Sequence, residues 1–330
     1  MKRLVSLAVS LLILGVIYWQ IDTRGLVQVF QQSDRLWLGI SLGMVVPLTL
    51  MTGWRLQQLM PHERDKQQAT SPPLPFWEAN RLILVACVLN MVLPSKMGDI
   101  AKAYFMRDRG HLDGSLAVSL VVFEKACDLL SLLLWCALGL VLYPQKGWIF
   151  WVMTLSVVSG LIVGLLLLGS RKFAQFFFQL GQFVAPKKTK ANLEALGKAW
   201  ETMHAYFWGD RLHLLKIVGT SILIWFFHLL QIWFFIFALK AWTPFLANLA
   251  LAPLAILAGL LPLTFAGVGT RDAAIIAFYQ PFIDTPTAAA LGLLCTSRYL
   301  LPAIAGLPFL SEYLGKLRRL KRTTSNPENL

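Results

Sequence analysis

The residues in this sequence that could do chemistry are charged side chains set inside apolar runs. Phe123-Glu124-Lys125-Ala126-Cys127-Asp128 lies well within one such run. Glu124 and Asp128 are four apart and share a helix face, and Lys125, three before Asp128, can pair with it. A charge at the bilayer centre costs about 2.5–3.5 kcal/mol on insertion scales, so such groups face a partner or a water-filled cavity. Arg298, in Thr296-Ser297-Arg298-Tyr299, sits at a comparable depth in a later apolar run, counted at about 1.5 Å per residue. The matched depths predict that Arg298 lies near Glu124 or Asp128. There it would serve either substrate passage or a fixed ion pair that locks the fold.

Two broken stretches carry further candidates. The first, around Leu93-Pro94, offers Asn90, Ser95, Lys96 and Asp99. Lys96 is a donor placed at a break and suited to a phosphate. Gly98 opens a helix whose N-terminus attracts anions. The second, around Leu261-Pro262, offers Thr264, Gly267, Gly269, Thr270, Arg271 and Asp272. Arg271 can hold a phosphate in a bidentate grip. The plainer reading of both is capping, with Asp99 and Asp272 stabilising short helix starts. No strand precedes the Gly-x-Gly, so it is no dinucleotide loop. His228 and Gln231, inside Trp225–Phe235, either line a cavity or bond between helices; Glu78 and Arg81 read as interfacial. No nucleophile, base and orienting group come together, which speaks against an enzyme. The four cysteines form no C-x-x-C pair and the five histidines are scattered, so neither a metal nor a cofactor is expected.

The elements that must position these groups are membrane helices. Hydrophobic residues make up 57% of the chain and charged ones 14%, at a mean hydropathy of +0.62. A bilayer accepts that much apolar surface; a soluble core does not. The expected fold is an all-α polytopic membrane protein of six spans plus two re-entrant helical hairpins. The spans are Leu4–Ile21, Leu36–Trp54, Ser115–Tyr143, Trp148–Gly169, Ile217–Leu239 and Thr287–Phe309; the hairpins cover 81–107 and 247–282. The first span lacks a small-x-small cleavage pattern and reads as uncleaved.

Charge bias orients this arrangement. With both termini and the loops 55–80, 95–113 and 170–216 cytoplasmic, most of the 30 Lys and Arg fall on the inner side or at the inner mouth. Arg24, Arg35, Lys146, Lys240 and Arg271 fall outside, and Lys125 and Arg298 within the membrane. Because the cations flank spans, the net charge of +13 points to anionic headgroups rather than nucleic acid. Each half then reads span, span, hairpin, span, and an odd number of crossings inverts the second half, 144–312, relative to the first, 1–143. Inverted repeats with Gly/Pro-broken segments place a substrate site at their interface. Irregular backbone at membrane depth needs a lining of protein or water. The loop 170–216 holds two amphipathic pieces, one rich in Phe over Lys172–Val184 and one with Leu193, Leu196, Trp200, Met203 and Phe207 on one face. These lie on the membrane surface or pack on the bundle. Residues 313–330 read as a basic tail.

The run Asn90-x-x-Leu93-Pro94-x-x-x-Gly98-Asp99-x-x-Lys102-Ala103-Tyr104 is followed by Glu124-Lys125-x-x-Asp128-Leu129-Leu130, then Gly267-x-Gly269-x-Arg271-Asp272, then Arg298. In this order and spacing the chain resembles the transmembrane-region family of lysylphosphatidylglycerol synthases, the flippase-like UPF0104 group. By that resemblance Glu124, Lys125, Asp128, Arg271 and Arg298 match the family's polar positions. The family often has Glu at Asp272 and Arg at Lys125; the latter change keeps the charge and loses the planar fork. The soluble aminoacyl-transfer domain is absent, so lipid aminoacylation is not implied. The resemblance implies translocation of a polar-headed phospho- or glycolipid across the cytoplasmic membrane. The partners would be anionic or phosphate-bearing lipids and a lipid-modifying enzyme or glycosyltransferase. Carriage of a small water-soluble solute, or scaffolding of a glycosyltransferase without transport, are the alternatives.

Overall fold

A computed structural model describes residues 23–60, 74–92, 98–108, 114–142, 147–184, 187–261 and 268–324. Among them there are only helices: α1 (Thr23–Gln32), α2 (Arg35–Gly43), α3 (Val45–Leu59), α4 (Phe76–Val92), α5 (Gly98–Asp108), α6 (Gly114–Leu142), α7 (Trp148–Gly169), α8 (Arg171–Val184), α9 (Lys187–Gly209), α10 (Arg211–Ala238), α11 (Phe245–Gly259), α12 (Thr270–Tyr279) and α13 (Thr285–Thr324). Among the described residues, five segments are long and apolar enough to cross a bilayer: Arg35–Leu59, Leu116–Leu142, Phe150–Gly169, Arg211–Ala238 and Thr285–Tyr313. The chain is an all-α polytopic membrane protein. The expected span Leu4–Ile21 lies outside the described residues.

Local chemistry sets the helix starts. Asp34 accepts the Leu36 and Trp37 amides at 2.9 and 3.2 Å to open α2. Asp210 accepts the His213 amide at 3.0 Å to open α10. Each satisfies donors that the first turn leaves orphaned. α2 and α3 join at Met44 into one continuous stretch that reaches Leu59. The expected loop 55–80 therefore begins later than its charge suggested. Arg55 belongs to the last turn of the span, whose apolar run continues through Leu56 and Leu59.

α7 shows what surrounds the bundle. Much of it faces outward, with Leu155 72% exposed and Leu165 58%, while Val157 packs into the bundle. Apolar exposure on that scale along a 22-residue helix calls for lipid as the solvent.

The two broken regions form helix pairs. α4 packs on α5, and α11 packs on α12. At about 1.5 Å per residue, α11 with 15 residues and α12 with 10 each fall short of the hydrocarbon thickness. The packing is reciprocal across the chain: α4 makes its most extensive contact with α13, and α11 makes its own with α6. Both crossings close on a glycine. A methyl group added at Gly306 would overlap the Leu84 carbonyl oxygen, and one added at Gly139 would overlap that of Ala250. Small residues at such crossings let backbones approach where no hydrophobic force drives helices together in lipid.

The two pieces of the 170–216 loop behave differently. α9 is packed on the bundle: Phe207 stacks on Phe123 with centroids 4.1 Å apart, and the Trp200 indole donates to the Leu167 carbonyl at 3.2 Å. α8 leaves Phe176, Phe177, Leu180 and Phe183 exposed. The membrane-surface reading thus fits α8 and the packed reading fits α9.

Candidate functional site

Three helices, α3, α5 and α6, bring charges together in the first half. Arg55 of α3 is buried against α6 and α10. Its Nη1 donates to Asp128 Oδ1 at 2.5 Å and to Ser221 Oγ at 3.0 Å. Its Nη2 donates to Glu124 Oε1 at 3.1 Å and Asp128 Oδ2 at 3.3 Å. The i, i+4 spacing of Glu124 and Asp128 lets one guanidinium span both carboxylates. Lys102 of α5, also buried, donates to the other oxygen of Glu124, Oε2. At the opposite end, Lys125 Nζ lies 3.7 Å from Asp128 Oδ2 and 3.2 Å from Asp99 Oδ2. Asn90 Nδ2 donates to the same Asp99 oxygen at 3.3 Å.

Read in order, the chain runs Lys102, Glu124, Arg55, Asp128, Lys125, Asp99. Cation and anion alternate and the sum is zero. That neutrality is what allows six charges at membrane depth, since a buried ion is tolerable only when paired and hydrogen-bonded. The chain also has a closed and an open end. The side chains of Lys102 and Glu124 are 0% and 1% exposed, whereas that of Lys125 is 45% exposed.

The second half holds a smaller constellation. Arg271 donates from Nε and Nη2 to Asp272 Oδ1 at 3.1 and 2.7 Å, and from Nη2 to the Gly292 carbonyl at 3.1 Å and Thr296 Oγ1 at 2.7 Å. Its guanidinium also lies 6.0 Å from the Tyr299 ring, within cation–π range. Asp272 Oδ2 accepts the Gly269 amide at 3.0 Å. Gly269 sits at φ 98°, where a side chain would be strained, and this turns the chain into α12. These bonds describe the capping role: Arg271 and Asp272 tie the start of α12 to α13. Gln231 donates to the Ser41 carbonyl at 2.8 Å, an interhelical bond.

Arg298 departs from the expectation that it lies against Glu124 or Asp128. It makes no ion pair with either carboxylate; Arg55 occupies that place. Matching depth along two helices says nothing about which way each side chain points round its axis. Arg298 stands on α13 with its Nε buried and without a hydrogen-bond partner among the described residues. Lys96 and Thr264 lie outside the described residues, as do Ser95, Pro94, Pro262 and Gly267. Among the described groups the structure joins Asn90, Asp99, Glu124, Lys125 and Asp128 in one network and Arg271 with Asp272 in another.

Two central residues escaped the sequence reading. Arg55 looked like the first residue of a loop, although no helix breaker follows it until Pro61. Lys102 was quoted only within a motif. Its helical neighbours Phe105 and Met106, at i+3 and i+4, are buried, and that pattern puts its ammonium on the inner face.

The profile of the family described as Lysylphosphatidylglycerol synthase TM region matches residues 3–306 of the chain. The chain is also similar to a UPF0104 membrane protein of Methanocaldococcus jannaschii. The two are 23% identical over 241 residues, which cover 68% of this chain and 71% of that one.

Proposed function

The chain belongs to the lysylphosphatidylglycerol synthase transmembrane-region family, and from that premise we propose that it moves a polar-headed phospho- or glycolipid across the cytoplasmic membrane without chemical change to the lipid. The observation that carries this reading is the ion network buried within apolar helices and opening at Lys125. The task is to lower the cost of taking a polar headgroup through hydrocarbon. A neutral network with one open, charged end gives a headgroup polar contacts at depth while its acyl chains stay in lipid. The flanking Asp99 and Asp128 hold the Lys125 ammonium loosely enough to exchange one carboxylate for a headgroup oxygen.

In this reading both termini face the cytoplasm, as the charge bias asks. The residues act as binding and positioning groups rather than catalysts. The lipids met are anionic or phosphate-bearing, and an enzyme that makes or uses the lipid is the natural neighbour.

Reconstitution into vesicles with headgroup-labelled lipid tests the proposal. Wild-type protein accelerates exchange between leaflets over protein-free vesicles, and Lys125→Gln slows it while leaving the amount of folded protein unchanged. Wild-type exchange at the protein-free rate, for both phospholipid and glycolipid labels, would refute lipid translocation.

A further inference from the structure

Ser170 alone separates α7 from α8. Its amide bonds the Leu166 carbonyl at 2.9 Å, and its hydroxyl accepts the Phe173 amide at 3.3 Å, ending one helix and opening the next. α7 has 22 residues, about 33 Å at 1.5 Å per residue, close to one hydrocarbon thickness. It opens at Trp148 and Trp151, both exposed, and such rings collect at a membrane–water boundary. Its last turn therefore meets the opposite boundary. There the Trp200 and Trp208 indoles donate to the Leu167 and Leu168 carbonyls at 3.2 and 2.9 Å. α8 thus starts at headgroup level.

α8 has three faces. Ala174, Phe178 and Gly181 form one, turned to α9: the Phe178 ring lies 6.2 Å from that of Trp200, and a methyl group on Gly181 would touch Leu193. Arg171, Gln175 and Gln182 follow at helical spacing along a polar face, where Arg171 bonds His204 and Gln175 bonds Glu201 at 3.0 and 2.9 Å. The third face carries Phe176, Phe177, Leu180 and Phe183, at i, i+1, i+4 and i+7, all exposed. Three aromatic rings and a leucine on one side of a 14-residue helix mark a docking surface. Two observations name its occupant. α8 follows directly on the exposed apolar flank of α7, which runs through Leu155, Ile162, Leu165 and Leu166. And between residues 171 and 193 the chain has five cations, Arg171, Lys172, Lys187, Lys188 and Lys190, and no carboxylate. A second copy of this segment would bring like charges together; an anionic surface complements them.

We propose that α8 and the basic segment after it form a docking surface for anionic lipid headgroups. The Phe176–Phe183 face enters the leaflet at the level of the acyl chains, and the cations meet the charged heads above it. Lys172, four before Phe176, lays its alkyl stem along that face and keeps its ammonium among the heads. Lipid held here is the protein's fixed surroundings and not its cargo, so the docking stands whatever passes Lys125. α9 ties the docked helix to α6, since it bonds α8 on one side and stacks Phe207 on Phe123 on the other.

The test is amide hydrogen exchange of the full-length protein at a fixed pH in lipid nanodiscs of two compositions, phosphatidylcholine alone and an equal mixture with phosphatidylserine. α7, embedded in both, serves as the internal reference. α8 exchanges about fivefold or more slowly in the mixed discs, the weight of one cation near an anionic surface. Lys172→Gln, Lys187→Gln, Lys188→Gln and Lys190→Gln combined bring the two rates together. Phe183→Ser speeds α8 exchange in the mixed discs and leaves the unfolding midpoint where it was, because the ring is exposed in the folded protein. Equal α8 rates for wild type in the two compositions overturn the proposal, whatever their value. So does protection of α8 in detergent that grows with protein concentration, which would assign the face to a second copy of the chain.

Discussion

On α3, α5 and α6, three cations and three carboxylates alternate until every charge has a neighbour of opposite sign. On α12 and α13, Arg271 is spent on Asp272 and two α13 oxygens, and Arg298 has no ion pair among the described residues. Both regions put charge deep among apolar helices, yet the physics asks different things of them. A neutral network returns its desolvation cost through mutual attraction, so removing a buried member such as Arg55 strands its partners, whereas the exposed end at Lys125 has water to fall back on. An unmatched cation carries its cost in the resting protein, and its removal strands no partner. Charge that holds the fold can thus be separated from charge that does not by asking which loss the folded protein feels.

Arg55→Gln should have the largest effect. It leaves Glu124 and Asp128 facing each other with only the terminal lysines as counter-charges. Breaking a buried pair in this way costs about 3–5 kcal/mol, which unfolding in detergent would register as a large drop in midpoint and in folded yield. A midpoint near that of wild type would mean that the network contributes nothing to the fold.

Gly98→Ala comes next. A methyl group there would overlap the Ala86 carbonyl oxygen and crowd the Asn90 amide at 2.7 Å. α5 must then lift from α4, separating Asp99 from Asn90, at about 1–3 kcal/mol for overpacking. Slower leaflet exchange together with a lowered midpoint is expected; an unchanged midpoint would contradict the close fit.

A charge contact outside the membrane gives a smaller and pH-dependent effect. Arg171 Nε donates to His204 Nδ1 at 3.0 Å, joining α8 to α9. Partial burial and the Arg171 guanidinium hold the imidazole below its ordinary value. A histidine whose folded value is depressed contributes its full stability above the unfolded value of about 6.5 and loses it as pH falls through the folded one. Hydrogen exchange in α8 should therefore speed up as pH falls below about 6.5, once intrinsic rates are corrected. The site is mostly open to solvent, so the contribution stays under about 1 kcal/mol. His204→Gln should abolish the pH dependence.

The smallest expected effect on stability is that of Arg298→Gln. With no carboxylate stranded by its removal, the midpoint should stay level or rise. A fall as large as that for Arg55→Gln would erase the distinction between the two regions.

Much of this architecture was legible in the amino-acid order, because hydropathy over a span-length window is set by the solvent. The segments around Leu36–Trp54, Ser115–Tyr143, Trp148–Gly169, Ile217–Leu239 and Thr287–Phe309 all correspond to long apolar helices in the structure. The meeting of Glu124, Lys125 and Asp128 was legible too, since helix spacing dictates it. What hydropathy could not supply was azimuth. Arg55 ended a span and looked like a loop cation, and only its facing α6 makes it central. Arg298 sat at a matching depth, yet Arg55 holds the place beside Glu124 and Asp128. α8 and α9 both read as amphipathic, yet Phe207 finds Phe123 to stack on while Phe183 finds no such cover.

The account rests on the open end of the network at Lys125 serving the cargo and not the fold. The direct measurement is leaflet exchange of headgroup-labelled phosphatidylglycerol in vesicles that hold equal amounts of folded wild-type protein and Lys125→Gln. Exchange that is fast with wild type and falls to the protein-free rate with the variant is the predicted result. Exchange at the same accelerated rate with both proteins would contradict it.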